Sequence, residues 1–140
     1  MKILSIDPGA NTGAAFFEHG QLKNLFTTDP LAVLAMIDED YYDRIIFEDS
    51  TLQSHIFTAP SVKGAAKLKI ARNIGQVDGY CKLIVQACAN TSKPCLQISP
   101  KNKGAKLNAK QFADITGWDK PSNQHERDAA MVGWQYRRMK

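Results

Sequence analysis

Cysteine is scarce and loosely placed: Cys81, Cys88 and Cys95 make three in the whole chain, an odd number without tight spacing. That argues against both a disulfide framework and a zinc site. Cys81 and Cys88 stand two helical turns apart and read as small core residues. Long apolar runs are also missing. None approaches the roughly 18 residues that would suggest a membrane span, and the N-terminal apolar stretch stops at Asp7, too early for a signal peptide. The expectation is a soluble chain that stays in the cytoplasm. No repeat, low-complexity segment or linker divides the 140 residues, which suit one domain, 1–140. Acids are nearly missing from the middle of the chain. Between Ala59 and Lys110, Asp78 alone stands against 10 Lys and Arg, whereas Met1 to Thr58 holds 9 acids and 3 Lys and Arg. The net charge is +4. A cationic middle suits a polyanion whose phosphates it neutralises with release of counterions. A solvated helix face followed by a lysine-rich loop would read the same way.

What is present is organised around the first residues. Ile3, Leu4 and Ile6 form a β-rich apolar run that ends on Asp7. Pro8-Gly9 and Asn11-Thr12-Gly13 then force a turn. Asp7 thus stands at the tip of a core strand beside donor-rich backbone, where it could hold a metal ion. It could equally cap the turn with its own side chain. Thr12–Glu18 and Gln21–Thr27 read as the second and third strands, joined at His19-Gly20, giving a three-stranded antiparallel meander. Asp29 and Pro30 start a helix through Ile37, and Asp38 to Asp43 is an acidic loop. Arg44–Asp49 is a fourth strand that again ends in acid. After a helical crossover it should lie parallel to the first strand, which puts Glu48 near Asp7 at the carboxyl edge of the sheet. Two carboxylates so close repel unless a cation lies between them.

A loop from Ser50 to Pro60 leads to a long helix, Ser61 to Asn90, with Lys63, Lys67, Lys69 and Arg72 toward its start. Its Gly75 and Gly79 would permit another backbone, the sheet's or a second subunit's, to come close. Pro94–Ser99 is a fifth strand, and Pro100–Asn108 is a loop carrying Lys101, Lys103 and Lys106. Asn108 caps a helix that ends at Gly117, and a last helix runs from Gln124 to Arg138 behind an Asn123/Glu126 capping box. His125 and Asp128, three apart, share the helix face that continues through Ala129 and Val132, so both are expected on its inward side. A metal would satisfy them there; alternatively Asp128 pairs with a lysine and His125 is an ordinary edge histidine.

Ile-Asp7-Pro-Gly-x-x-Thr12-Gly13-x-Ala, the acid-tipped strand at Glu48, the helix with Lys-Leu-Lys-Ile-Ala-Arg72 and the terminal His125-x-x-Asp128-Ala together resemble the RuvC-type Holliday junction resolvases of the ribonuclease H-like superfamily. The resemblance implies an α/β fold with a five-stranded mixed sheet, three antiparallel strands then two parallel, flanked by helices. It implies a homodimer that cuts four-way DNA junctions with two divalent metals, Mg²⁺ or Mn²⁺. Carried onto this chain, it makes Asp7, Glu48, His125 and Asp128 the catalytic, metal-site residues. It also makes Phe57 a residue that contacts unpaired bases, and Lys67, Lys69, Arg72, Lys101, Lys103 and Lys110 phosphate contacts. A compact phage-borne relative would suit this length. Other branched DNA, an RNA–DNA hybrid, or junction binding without catalysis are the alternatives.

Overall fold

The computed structural model describes residues 1–53, 63–102 and 104–140. Five strands form one mixed sheet: β1 (Lys2–Asp7), β2 (Thr12–Glu18), β3 (Gln21–Thr28), β4 (Arg44–Glu48) and β5 (Cys95–Ile98), in the order β3-β2-β1-β4-β5. The first three are antiparallel, and β4 and β5 run parallel to β1. The predicted meander and parallel pair are both present. The hairpin at His19-Gly20 places both residues at positive φ, 51° and 77°, as a two-residue turn between right-twisted strands requires.

Helices cover the two faces. α1 (Pro30–Asp38) and α2 (Ala65–Asn90) pack on one side with Leu4, Ile6, Ala14, Ile45 and Phe47. α3 (Ala109–Thr116) and α4 (Gln124–Trp134) close the other, over Ile3, Ala15, Phe17, Ile46 and Ile98. Strand alternation assigns each residue to its face. Asp29 accepts from the Ala32 amide at 2.9 Å ahead of Pro30. Capping boxes at Asn108/Gln111 and Asn123/Glu126 start α3 and α4, and Gly117 ends α3 in the left-handed region.

Several boundaries shift from expectation, three of them for reasons that the local geometry shows. α2 begins at Ala65 because Gly64, at φ 63°, cannot continue a right-handed helix. α4 stops at Trp134 instead of Arg138: the chain tightens into i to i+3 turns at Tyr136 and Met139. There the Arg137 guanidinium donates to the Trp134 carbonyl and stacks on its ring at 3.6 Å. β4 ends at Glu48, and Asp49 instead caps a short 3₁₀ turn, Ser50–Leu52.

α2 is also much longer than the sheet is deep. Its 26 residues span about 39 Å at the helical rise, against about 16 Å for a five-residue strand. Its buried residues, Cys81, Ile84 and Cys88, all lie in the second half. Ala65 to Asn73 is exposed throughout. Beyond their chain neighbours and the helix's own backbone, no described residue comes within 4 Å of the position a Cβ would take at Gly75 or Gly79. These glycines therefore do not serve close packing on the chain's own sheet.

Candidate metal centre and nucleic-acid interface

β1 and β4 run side by side, with Ile6 opposite Phe47, so the next residues, Asp7 and Glu48, are neighbours at the carboxyl edge. Alternation turns both toward the α4 face: Asp7 follows Ile3 and Ser5, and Glu48 follows Ile46. Both are half-buried. The turn after Asp7 is closed by the Thr12 hydroxyl, which donates to the Gly9 carbonyl at 2.6 Å.

α4 reaches this corner because small residues let it lie directly on the sheet. Gly13, opposite Asp7 in the β1–β2 ladder, has the His125 carbonyl where a side chain would begin: a Cβ there would stand 1.8 Å from that oxygen. At Gly133 a Cβ would meet Ser5 Oγ at 2.7 Å. The buried Ser5 hydroxyl donates to the Ala129 carbonyl at 2.6 Å, pinning the helix to β1. Asp128 is consequently buried at 6% exposure. Glu48 and Asp128 line one cleft of about 360 Å³, together with Ile98, Leu107, Met131 and Trp134.

His125 departs from expectation. It follows the inward stripe of α4 but is exposed. It occupies the first turn of α4, and its side chain is open to solvent instead of enclosed in the core. Its backbone, not its side chain, makes the contact with β2.

Among the described residues, Gln124 Nε2 donates to Asp128 Oδ1 at 2.8 Å and the Lys106 ammonium to Oδ2 at 2.9 Å. The Lys106 side chain is 66% exposed and its partner's 7%. Beside this pair, Arg127 donates to the carbonyls of Leu107 and Ser122 at 2.9 and 2.6 Å, tying the lysine-rich loop to α4. Neither Lys106 nor Arg127 carries a signal of its own in the sequence: the first is one lysine among several, and the second is one charged residue in a charged helix start. Asp49, adjacent to Glu48, faces the other side. It is 1% exposed and accepts from the Thr51 amide and hydroxyl and from Gln97 Nε2, at 2.6 to 2.9 Å. Burial raises its pKa, but the hydrogen bonds from Thr51, Gln97 and Cys81 outweigh that and leave it below the usual carboxylate value.

The donor chemistry of Asp7, Glu48 and Asp128 fits a hard, oxygen-seeking divalent cation. The ammonium on Asp128 marks a buried carboxylate that takes positive charge. Among the described residues no three His, Cys, Asp or Glu side chains close onto one point. The gathering is thus one of sheet edge and face. Of the expected DNA contacts, Lys67, Lys69 and Arg72 lie on the projecting half of α2, and Lys101 and Lys110 are exposed near the lysine-rich loop. Phe57 and Lys103 lie outside the described residues.

No protein-family model and no curated protein sequence matches the chain. Solved structures do. T. thermophilus RuvC, solved in complex with a Holliday junction substrate, superposes with a TM-score of 0.61 at 16% identity, covering 96% of this chain and 90% of that one. The fowlpox virus Holliday junction resolvase superposes at 0.57 and 15% identity, covering 98% of each. The chain therefore shares the fold of these two solved resolvases.

Proposed function

We propose that this chain is a metal-dependent, structure-selective endodeoxyribonuclease. In this reading it resolves four-way DNA junctions by paired symmetric nicks that leave 5′ phosphates. The observation that carries the reading is the cleft lined by Glu48 and Asp128, with Asp7 beside Glu48 at the same sheet edge, in a fold shared with RuvC. Asp7, Glu48 and Asp128 would hold the metal, and the exposed His125 would add a ligand or accept a proton from the attacking water. Bound divalent ions, two Mg²⁺ or Mn²⁺, would supply Lewis-acid activation of water and charge stabilisation at the departing 3′ oxygen. Lys67, Lys69 and Arg72, with Lys101, Lys103 and Lys110, would bind phosphates without reading sequence, and Phe57 would stack on unpaired bases.

The reading extends to assembly and place. Residues 1–140 act as one nuclease domain in a cytoplasmic homodimer, whose two-fold axis matches the two scissile positions of a junction. The projecting half of α2, with Leu68 52% and Ile70 36% exposed, supports a partner there. Among the described residues no helix is long and apolar enough to cross a membrane.

One observation favours a second reading, a junction-binding module without catalysis: the Lys106 ammonium already neutralises Asp128. A labelled mobile four-way junction separates the two. Symmetric paired nicks that need Mg²⁺ or Mn²⁺ are expected. Binding without metal-dependent products would leave the module, and equal cutting of a linear duplex or an RNA–DNA hybrid would remove the junction specificity.

A further inference from the structure

We propose that Lys106 is a tethered counter-cation that the divalent ion must displace from Asp128, so that metal entry is an exchange of one cation for another. This rests on the nuclease reading above and adds a residue that the reading leaves without a role.

The pair is asymmetric in a way that suits exchange. Asp128 is almost wholly enclosed, while the lysine that reaches it is two-thirds exposed. The carboxylate is therefore fixed and the ammonium can withdraw into water with little loss of hydration. The base of the lysine is fixed as well. Arg127, next to Asp128, holds the carbonyl of Leu107, next to Lys106. Two adjacent pairs of residues are thus cross-latched, and the Lys106 stem starts from a set point. Gln124 stays on the other carboxylate oxygen, Oδ1, and keeps Asp128 oriented whichever cation it faces.

The charges make the exchange necessary. A divalent ion on Asp128 would meet the ammonium at close range with like sign, and like charges that near one another are mutually unfavourable. A compact ion with fixed oxygen donors is the better partner for a rigid carboxylate than a long side chain that must give up rotamer freedom to stay. Once released, the ammonium stays beside the cleft, whose lining includes its chain neighbours Ala105 and Leu107, and a phosphate of bound DNA is an anion available to it. Metal binding and DNA binding would then support one another, reciprocally, through one side chain.

The test uses the full-length, metal-stripped protein without DNA and reads bound Mn²⁺ from the loss of the free-ion paramagnetic resonance signal. Lys106→Met and Lys106→Gln should each bind Mn²⁺ more tightly than the parent, on the order of fivefold, as suits release from a largely exposed ion pair. Lys106→Arg should stay at the parent affinity, and adding Asp128→Asn to Lys106→Met should cancel the gain. A lysine with only a structural role would leave affinity unchanged or lower it on removal. If the parent binds Mn²⁺ and cuts junctions but both neutral variants bind no more tightly, the exchange is wrong and the nuclease reading stands. If neither the parent nor the variants bind Mn²⁺, the exchange and the nuclease reading fall together.

Discussion

The two faces of the sheet treat acid differently, and adjacent residues show it. Glu48 and Asp49 are both carboxylates at the end of β4. Glu48 turns toward α4 and into a cleft that it shares with Asp128. Asp49 turns toward α2, is buried, and is surrounded by donors supplied by its own turn and by Gln97. The face below Asp49 is a closed apolar core in which even the Cys81 thiol, pushed up to about 11 chiefly by burial, is chemically quiet. The face below Glu48 leaves space between α4 and the strand ends. Asp49 is closed off from any ligand, whereas Glu48 opens on a cleft beside a second carboxylate. A single step along the strand backbone separates the two.

The largest effect that would break this comparison lies on the open face. Asp7→Asn or Glu48→Gln should remove metal-dependent junction cutting by well over the roughly 100-fold seen when only a supporting group of a metal site is lost. Junction binding, read by gel shift, should stay near the parent value. Retained cleavage by Asp7→Asn would remove the nuclease reading. Next comes the packing that brings α4 to the corner. Gly13→Ala would put a methyl group into the His125 carbonyl, a backbone clash that should destabilise by about 3 kcal/mol. That would appear as a melting temperature lower by about 10 °C, together with loss of cutting.

On the closed face the effect should be smaller and of another kind. Asp49→Ala leaves the donors of Thr51 and Gln97 unmet and should lower stability by about 1–3 kcal/mol, while junction cutting well below the melting temperature is retained. Its pH signature follows from the direction of the shift. Asp49 is more acidic folded than unfolded, so its stabilisation is complete above the unfolded value near 3.9 and is lost as pH falls through the lower folded value. Thermal melts from pH 2 to 6 should therefore show a flatter acid limb in Asp49→Ala than in the parent. The smallest effect concerns α2. Replacing Lys67, Lys69 and Arg72 together by alanine should weaken junction binding at every sequence. The salt slope should fall by up to about 0.9 for each phosphate that is no longer neutralised. Stability should be unchanged, because these residues are exposed on the projecting half of the helix.

The elements and their order are legible along the chain. Two apolar runs ending in Asp7 and Glu48, a His19-Gly20 hairpin and three well-capped helix starts are local signals. Strand alternation, turn stereochemistry and capping act over a few residues, and the parallel placement of β4 beside β1 follows from a single helical crossover. Even the choice between Glu48 and Asp49 is one of parity once the face toward α4 is known. That face is not readable from the chain, because it depends on which helices pack where. The same holds for His125: its helical phase follows from spacing, yet its exposure depends on how α4 sits on the sheet. It took the folded packing to reveal that Gly13, Ser5 and Gly133 let α4 sit on the sheet, and that Lys106, 22 residues before Asp128 in the chain, reaches it. Contacts of that kind join segments distant in sequence, and no local preference of either segment encodes them.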